Sequence, residues 1–279
     1  MSYKVVIDSC GELPERLKAD PRFDRASLTL TVDGEDIIDD ETFDQAYFLK
    51  RVAESPNCPK SSCPSPERYM KAFESDADHV YAVTLSSELS GSYNSAVLGM
   101  NLVHEKNPEK QIYVFNSRSA SVGETLIALK IEECEAQGMD FDDIIDTVEA
   151  YIAEQNTYFV LESLETLRKN GRLSNLKAFV ATALKIKPVM GATGEGTICQ
   201  LDQARGMNRA LVKMVDYVVE KASDSAGRIL GITHCNCPER AYMVRDAILQ
   251  KIKVKDVIIM DTAGVSSMSV SYTHLTLPT

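Results

Sequence analysis

Five serines, one asparagine and one glycine stand close together in residues 84–96, between an apolar run and a helical pattern. Residues 80–85 form a short β-branched and aromatic run typical of a buried strand, and the apolar residues after the turn recur at helical spacing. In an open parallel sheet such a turn lies at the carboxyl edge, where the first N–H groups of a helix favour an anion. The turn contains no lysine and no Gly-x-x-x-x-Gly-Lys spacing. The pattern therefore favours a singly charged group, held by hydroxyls and amides, over a triphosphate.

A second serine-rich segment, residues 60–66, also precedes a predicted helix. Its sequence is Lys-Ser-Ser-Cys-Pro-Ser-Pro, in which Ser65 is suited to cap the helix and Pro66 to occupy its first position. Two serine-lined helix starts can bind one head group together. In the first segment taken alone, a helix-capping role for Ser90 is as good an interpretation as ligand binding, and the second segment shifts the balance toward binding.

Composition and charge exclude several classes of function. The chain has 279 residues, of which 44% are hydrophobic, and a formal net charge of -11. Such a charge argues against nucleic-acid binding, because phosphate backbones are gripped by clustered lysine and arginine. The sequence shows no membrane span and no signal peptide at its start, so we expect a cytoplasmic protein with only transient membrane contact.

Seven cysteines, an odd number, favour reduced thiols. Cys235 and Cys237 beside His234 lack the spacing and the further ligands of a metal site.

Alternating apolar runs and helical patterns predict an α/β protein. Within residues 1–155, three strand, turn and helix units in series predict a parallel sheet flanked by helices. Residues 28–38 predict a hairpin, and Asp39 and Asp40 are interpreted as a device that starts the next helix. Residues 156–279 predict a second α/β domain with a mixed or antiparallel sheet.

The two serine-rich segments resemble motifs of the DegV family of bacterial fatty-acid-binding proteins. That family carries Thr-Ser-Gln-Pro-Ser where this chain has residues 61–65, and Ser-Ser-x-Leu-Ser-Gly-Ser/Thr-Tyr-x-Ser-Ala where it has residues 86–96. The resemblance covers about residues 3–268. It continues in the turn around Asn116, where the family has an acid in place of this asparagine. It continues again in residues 170–174, which read Asn-Gly-Arg-Leu-Ser.

The resemblance ends near the C-terminus. His234 matches a strand histidine of the family, although a structural role is the more common one for such a residue. The family's Gly-Thr-His-x-Gly-Pro-Gly is missing around His274. We therefore expect about the last nine residues not to be the native ending, and we assign His274 no role.

The resemblance implies a protein that binds one long-chain fatty acid between its N-terminal and C-terminal domains. It implies that a separate fatty acid kinase then phosphorylates the carboxylate, so that this chain is a carrier rather than an enzyme, without a metal or a cofactor. The residues implied to contact the carboxylate are Ser61, Ser62, Gly91, Ser92, Asn94 and Ser95. Arg172 is implied to handle the phosphoryl group or contact the kinase; its alternative role is to satisfy carbonyls at a helix end.

Two other functions compete with this interpretation. A serine hydrolase acting on acyl esters, with Ser92 or Ser95 as nucleophile, needs a positioned base, and the turn lacks Gly-x-Ser-x-Gly. A nucleotide-binding module needs a phosphate loop, which the sequence does not contain.

Overall fold

The structure is a computed structural model that describes residues 1–173, 186–222, 225–269 and 272–278, with residues 269 and 272–278 described by their backbone alone. Ser174, the last residue of the segment around Arg172, lies outside these ranges. The described elements up to the end of α6 are β1 (Tyr3–Asp8), α1 (Glu15–Lys18), β2 (Phe23–Ala26), β3 (Thr29–Val32), β4 (Glu35–Ile38), α2 (Gln45–Glu54), β5 (Lys60–Ser62), α3 (Pro66–Phe73), β6 (His79–Thr84), α4 (Ser92–His104), β7 (Gln111–Asn116), α5 (Val122–Ala136) and α6 (Phe141–Glu154). Those that follow are β8 (Gln155–Leu161), α7 (Glu165–Lys169), β9 (Ile186–Ala192), β10 (Ile198–Arg205), α8 (Met207–Lys221), β11 (Ile229–His234), α9 (Pro238–Leu249), β12 (Asp256–Asp261), α10 (Gly264–Ser269) and β13 (Tyr272–Pro278).

A parallel sheet with the strand order β2-β1-β6-β7 forms the centre of the N-terminal region. Its central strands β1 and β6 are buried on both faces, because helices cover both sides. On one face Val5 and Ile7 pack with residues of α5 and α6. On the other face Val6 and Ala82 pack with residues of α3 and α4. The predicted parallel sheet flanked by helices is therefore confirmed.

A small antiparallel sheet with the order β4-β3-β5 lies beside it. β3 and β4 form the predicted hairpin, and β5 pairs with β3 so that Ser61 lies opposite Leu30. The chain then enters α3, where Ser65 caps the helix by accepting a hydrogen bond from Arg68 N at 3.3 Å. The capping role predicted for Ser65 is confirmed.

The prediction that Asp39 and Asp40 start α2 is wrong. Asp44 caps that helix by accepting a hydrogen bond from Tyr47 N at 2.9 Å. Asp40 instead accepts a hydrogen bond from Thr42 N in the preceding turn. Asp39 is buried and accepts hydrogen bonds from the start of α10, 225 positions later in the chain. A local pattern cannot reveal a partner that only the fold brings near.

A six-stranded mixed sheet with the order β10-β9-β8-β13-β11-β12 forms the C-terminal region. Its pairs are antiparallel except for β11 with β12, as a mixed sheet was predicted here. Leu211 and Met214 of α8 and Val244 of α9 pack in its core. β8 starts directly after α6 ends, at the predicted boundary. The division into two domains and the non-native ending both stay predictions.

Candidate functional site

A narrow pocket lies between the parallel sheet and the six-stranded sheet, with a cavity volume of about 90 Å³. Its apolar lining consists of Leu85, Leu89, Ala120, Phe159, Leu161, Leu167, Ala192, Ile198, Val265 and Met268. Its polar lining consists of Ser61, Ser90, Arg118, Ser119, Thr157, Thr166, Asn170, Arg172 and Ser266, and Cys10 and Gly196 complete the described lining. Most of the exposed surface of the lining is apolar, and an apolar pocket with polar groups at defined places is suited to an amphipathic small molecule.

The carboxyl edge of the parallel sheet forms one wall of this pocket. Cys10, Leu85 and Ala120 lie just after β1, β6 and β7, whose carboxyl ends meet at this edge. Phe159 of β8 and Ile198 of β10 belong to the opposite wall. The pocket is therefore at the place where open parallel sheets bind ligands.

Ser90 lines the pocket at the start of α4. Its Oγ accepts a hydrogen bond from Ser92 N at 3.2 Å and lies 3.2 Å from Ser92 Oγ. Gly91 occupies the cap position of the helix itself. Ser90 thus satisfies an N–H group at the helix start and also faces the pocket, so the two interpretations of this serine are compatible.

One of the six residues predicted to contact a carboxylate, Ser61, lies in the described pocket lining. The others lie outside that lining and are Ser62, Gly91, Ser92, Asn94 and Ser95. Ser62, Gly91 and Asn94 are exposed. Ser95 Oγ lies 3.7 Å from Cys63 Sγ. The ligand contacts of all six residues stay predictions.

Ser92 is completely buried and contacts a carboxyl group beneath the pocket, that of Asp8. The two carboxyl oxygens of Asp8 accept hydrogen bonds from Cys10 N at 3.0 Å and Leu85 N at 2.9 Å. Both of these residues line the pocket. Asp8 therefore fixes two of the turns that form the wall.

Glu124 of α5 lies against Asp8, and both residues are completely buried. Burial and the neighbouring Asp8 raise the pKa of Glu124 well above its ordinary value. Among the described residues, neither carboxyl oxygen of Glu124 accepts a hydrogen bond. Two carboxyls in contact without a cation cannot both ionise. Burial and the neighbouring Asp8 therefore favour the neutral form of Glu124.

Arg172 lines the pocket and joins its two walls. Its Nε donates a hydrogen bond to the carbonyl of Leu89 at 3.3 Å, and its Nη1 donates to the carbonyl of Asn170 at 3.2 Å. The Asn170 carbonyl is at the end of α7, so the predicted carbonyl-satisfying role is observed. The guanidinium presents five N–H donors, and its place in the lining leaves a role toward an anion open to test.

Sequence reasoning missed a second polar group in the lining, formed by Arg118, Ser119 and Thr157. Ser119 Oγ lies 2.7 Å from Thr157 Oγ1, which links the two sheets. Arg118 has a positive φ of 50° and lies so close to Gly196 that a Cβ on this glycine would stand 2.7 Å from Arg118 Cα. The available signal was the polar turn that follows β7, a position typical of ligand contacts.

Other candidate groups lie apart from the pocket. Among the described residues, no cluster of histidine, cysteine and acidic side chains could hold a metal ion. None of the seven cysteines forms a disulfide bond.

His234 Nδ1 lies 3.3 Å from Asp261 Oδ1, which is close enough for an ion pair, but the two groups are not aligned for a hydrogen bond. His274 pairs through its backbone with Thr233, and its side chain lies outside the described atoms. No helix in the described part of the chain is long and apolar enough to cross a membrane.

Comparisons with known proteins agree with this architecture. A curated DegV domain-containing protein of Streptococcus pyogenes serotype M1 is 33% identical over 255 residues, which cover 91% of this chain and 89% of that protein. The crystal structure of a DegV family protein from Ruminococcus gnavus, described with vaccenic acid, is 52% identical with a TM-score of 0.96 and covers 99% of each chain. The Streptococcus pneumoniae fatty acid kinase (Fak) B3 protein, loaded with linoleic acid, is 29% identical with a TM-score of 0.89 and covers 100% of this chain and 99% of its own.

The sequence model of one family, described as "Uncharacterised protein, DegV family", matches residues 2–271. This match spans nearly the whole chain; the Streptococcus pyogenes protein resembles it in sequence, and the Ruminococcus gnavus protein resembles it in both sequence and fold. The chain belongs to the DegV family.

Proposed function

We propose that this protein binds one long-chain fatty acid in the pocket between the two sheets and presents the carboxylate to a separate fatty acid kinase for conversion to an acyl phosphate. The observation that carries the proposal is the narrow pocket, whose exposed surface is mostly apolar and whose polar residues include Ser61, Ser90 and Arg172. Solved relatives that hold vaccenic acid and linoleic acid support the same ligand class. On this proposal the chain is a carrier subunit in the cytoplasm and not an enzyme.

The apolar lining supplies a path for the acyl chain. Phe159, Leu161, Leu167 and Ile198 belong to one buried cluster, and Leu89 packs against it from the N-terminal region. Each methylene buried there contributes about 0.8 kcal/mol, so the acyl tail can provide most of the affinity. The polar groups then need only to orient the head group.

The polar group suited to the carboxylate consists of Ser61, Ser90 and Asn170. Asn170 Nδ2 donates a hydrogen bond at 3.0 Å to the carbonyl of Pro59, two residues before Ser61, and Arg172 donates to the carbonyl of Leu89, the residue before Ser90. A hydroxyl or amide donor to a carboxylate makes a charge-assisted hydrogen bond. In this arrangement Ser61 and Ser90 face the ligand, whereas the buried Ser92 is engaged with Asp8.

The role toward a kinase is supported by the likeness to the Fak B3 protein. A carboxylate held near Arg172 lies beside a cation that can pair with a phosphoryl group by two parallel hydrogen bonds. We therefore assign Arg172 to the transfer step or to the contact with the kinase.

Native mass spectrometry of the purified protein tests the ligand class. We expect a co-purifying mass in the range of a long-chain fatty acid. Protein that carries no such mass, and takes up no fatty acid when offered, would refute the proposal.

A pair of adjacent serines tests the position of the head group. Ser61→Ala should weaken fatty-acid binding by about 1.5 to 3 kcal/mol, the contribution of a hydrogen bond to a charged group. Ser62→Ala on the same strand is the comparison, because the resemblance implies that both serines contact the carboxylate, whereas the described pocket lining contains Ser61 and Ser62 is exposed. Equal losses in both variants would show that the lining seen here does not identify the carboxylate contacts.

The serine hydrolase alternative has no observation in its favour. The described lining of the pocket contains no histidine that could act as a base for a serine.

A further inference from the structure

We infer that Asp39 is a positioning residue for the pocket, because its carboxylate fixes α10, the helix that carries part of the pocket wall. The inference rests on the proposed function, because the pocket that Asp39 shapes is the proposed fatty-acid site. It assigns a role to a residue that lies outside the pocket lining itself.

α10 contributes three residues to the lining, Val265, Ser266 and Met268. It comes from the C-terminal part of the chain but packs into the N-terminal region. Val265 and Met268 share a buried cluster with Leu30 and Phe48. Ser266 Oγ donates a hydrogen bond to the carbonyl of Cys10 at 3.2 Å, across the pocket wall.

The Asp39 carboxylate receives hydrogen bonds from two successive backbone N–H groups of α10. Oδ1 accepts from Gly264 N at 2.8 Å, and Oδ2 accepts from Val265 N at 2.9 Å. Arg25 donates to Oδ1 at 2.8 Å and Ser9 to Oδ2 at 3.0 Å, so the charge and both oxygens are satisfied. Asp39 is completely buried, where an unpaired donor or acceptor costs most.

The close approach of Gly264 supports the same role. A Cβ on this residue would stand 2.7 Å from Asp39 Cγ and 2.8 Å from Asp39 Oδ1. A residue with a side chain could not sit against the carboxylate without moving α10 away. The helix start and the carboxylate are therefore matched to each other in shape as well as in charge.

Loss of this contact should loosen the pocket wall. The N–H groups of α10 would lose their acceptors, and the helix would separate more often from the turn that follows β1. Val265, Ser266 and Met268 would then move away from a bound acyl chain. The consequence is faster ligand release, in addition to any loss of overall stability.

The test compares Asp39→Asn with Asp24→Asn. Asp24 forms an ion pair with Arg68 at 2.6 Å, and neither residue lies in the described pocket lining. Release of the fluorescent fatty acid cis-parinaric acid into phosphatidylcholine vesicles is followed by stopped flow. We expect release about tenfold faster in Asp39→Asn, the effect of one weakened charge-assisted hydrogen bond, and unchanged release in Asp24→Asn.

Hydrogen exchange of the backbone N–H groups of residues 264 and 265 is measured on the ligand-free proteins and should accelerate by about the same factor in Asp39→Asn but not in Asp24→Asn. Gly264→Ala provides a second test, because it keeps Asp39 and its ion pair with Arg25 but disturbs the contact between the Asp39 carboxylate and the start of α10. It should show both effects if Asp39→Asn fails to fold.

Faster exchange of α10 with unchanged release would overturn the inference, as would unchanged exchange in both variants. A wild-type protein that takes up no fatty acid would refute the proposed function instead. The exchange measurement on ligand-free protein would still decide whether Asp39 holds α10.

Discussion

The buried carboxyl of Glu12 makes the stability of this protein depend on pH in a predictable way. Glu12 is 5% exposed. Its Oε2 accepts a hydrogen bond from Ser121 Oγ at 2.7 Å, and its Oε1 accepts one from Ala263 N at 3.2 Å. Burial raises the pKa of Glu12 to about 7 from an ordinary value of 4.5. The hydrogen bonds to the charged form only partly offset this effect.

The sign of the pH dependence follows from the direction of this shift. Below pH 4.5 the group is protonated in both the folded and the unfolded chain. As the pH rises, the unfolded chain releases its proton first, so the free energy of unfolding falls until the folded group also ionises near pH 7. The total loss corresponds to about 3 kcal/mol, since each unit of pKa difference is equivalent to about 1.4 kcal/mol.

Glu12→Gln removes this titration and keeps the shape of the side chain. The amide oxygen can accept from Ala263 N, and the amide nitrogen can donate to Ser121, whose hydroxyl also lies 2.9 Å from Thr233 Oγ1. We therefore expect the variant to gain stability over the wild type as the pH rises. The gain should approach about 3 kcal/mol at pH 8 relative to pH 4.5.

Urea unfolding followed by far-ultraviolet circular dichroism at several pH values measures this difference, because the chain has no tryptophan to serve as a fluorescent probe. The proteins must first be freed of lipid, since a bound ligand changes the apparent stability. Glu15→Gln is a control on an exposed glutamate nearby. Stability curves that stay parallel for wild type and Glu12→Gln would refute the reasoning.

Three further predictions concern single residues around the pocket. Arg172→Ala should reduce acyl-phosphate formation in a reconstituted assay with the cognate kinase while sparing fatty-acid binding, and normal phosphorylation would leave Arg172 a structural residue of the helix end. Glu124→Gln should keep the thermal stability, because a neutral amide of the same shape replaces a carboxyl group that burial favours in its neutral form, whereas Glu124→Leu removes the polar group beside Asp8 and should lower the free energy of unfolding by about 1 to 3 kcal/mol. Equal stability of the two Glu124 variants would contradict a role for a neutral polar group beside Asp8. Gly196→Ala, at a φ of +89°, should cost about 1 to 3 kcal/mol by urea unfolding, and Gly194→Ala, with nothing within 4 Å of its added Cβ, should cost little.

The elements of the fold follow from local patterns in the sequence. Buried parallel strands require continuous apolar runs. Residues 80–85 form such a run, which a serine-rich turn and a helix follow. Ser65 and Pro66 mark the start of α3 by the same local logic, because a helix start needs a side-chain acceptor for its first N–H groups. The position of the pocket at the carboxyl edge of the parallel sheet could be predicted for this reason.

The tertiary structure decides which side chains of those turns reach the pocket. Ser90 lines it while Ser92, two residues later, turns inward to Asp8, a difference that depends on how α4 packs. Ser61 and Ser62 alternate between the two faces of β5 in the same way, and the register of β5 against β3 selects one of them.

Contacts between distant parts of the chain are the ones that the sequence could not reveal. Asp39 is of a residue type that often caps a helix and stands before a helical pattern, yet its partners include the N–H groups of Gly264 and Val265. Glu124 has no mark in the sequence that distinguishes it from a surface glutamate, yet it is completely buried beside Asp8. Patterns of three or four residues encode local backbone structure, whereas burial and charge pairing depend on which elements pack together. Only the folded chain determines those contacts.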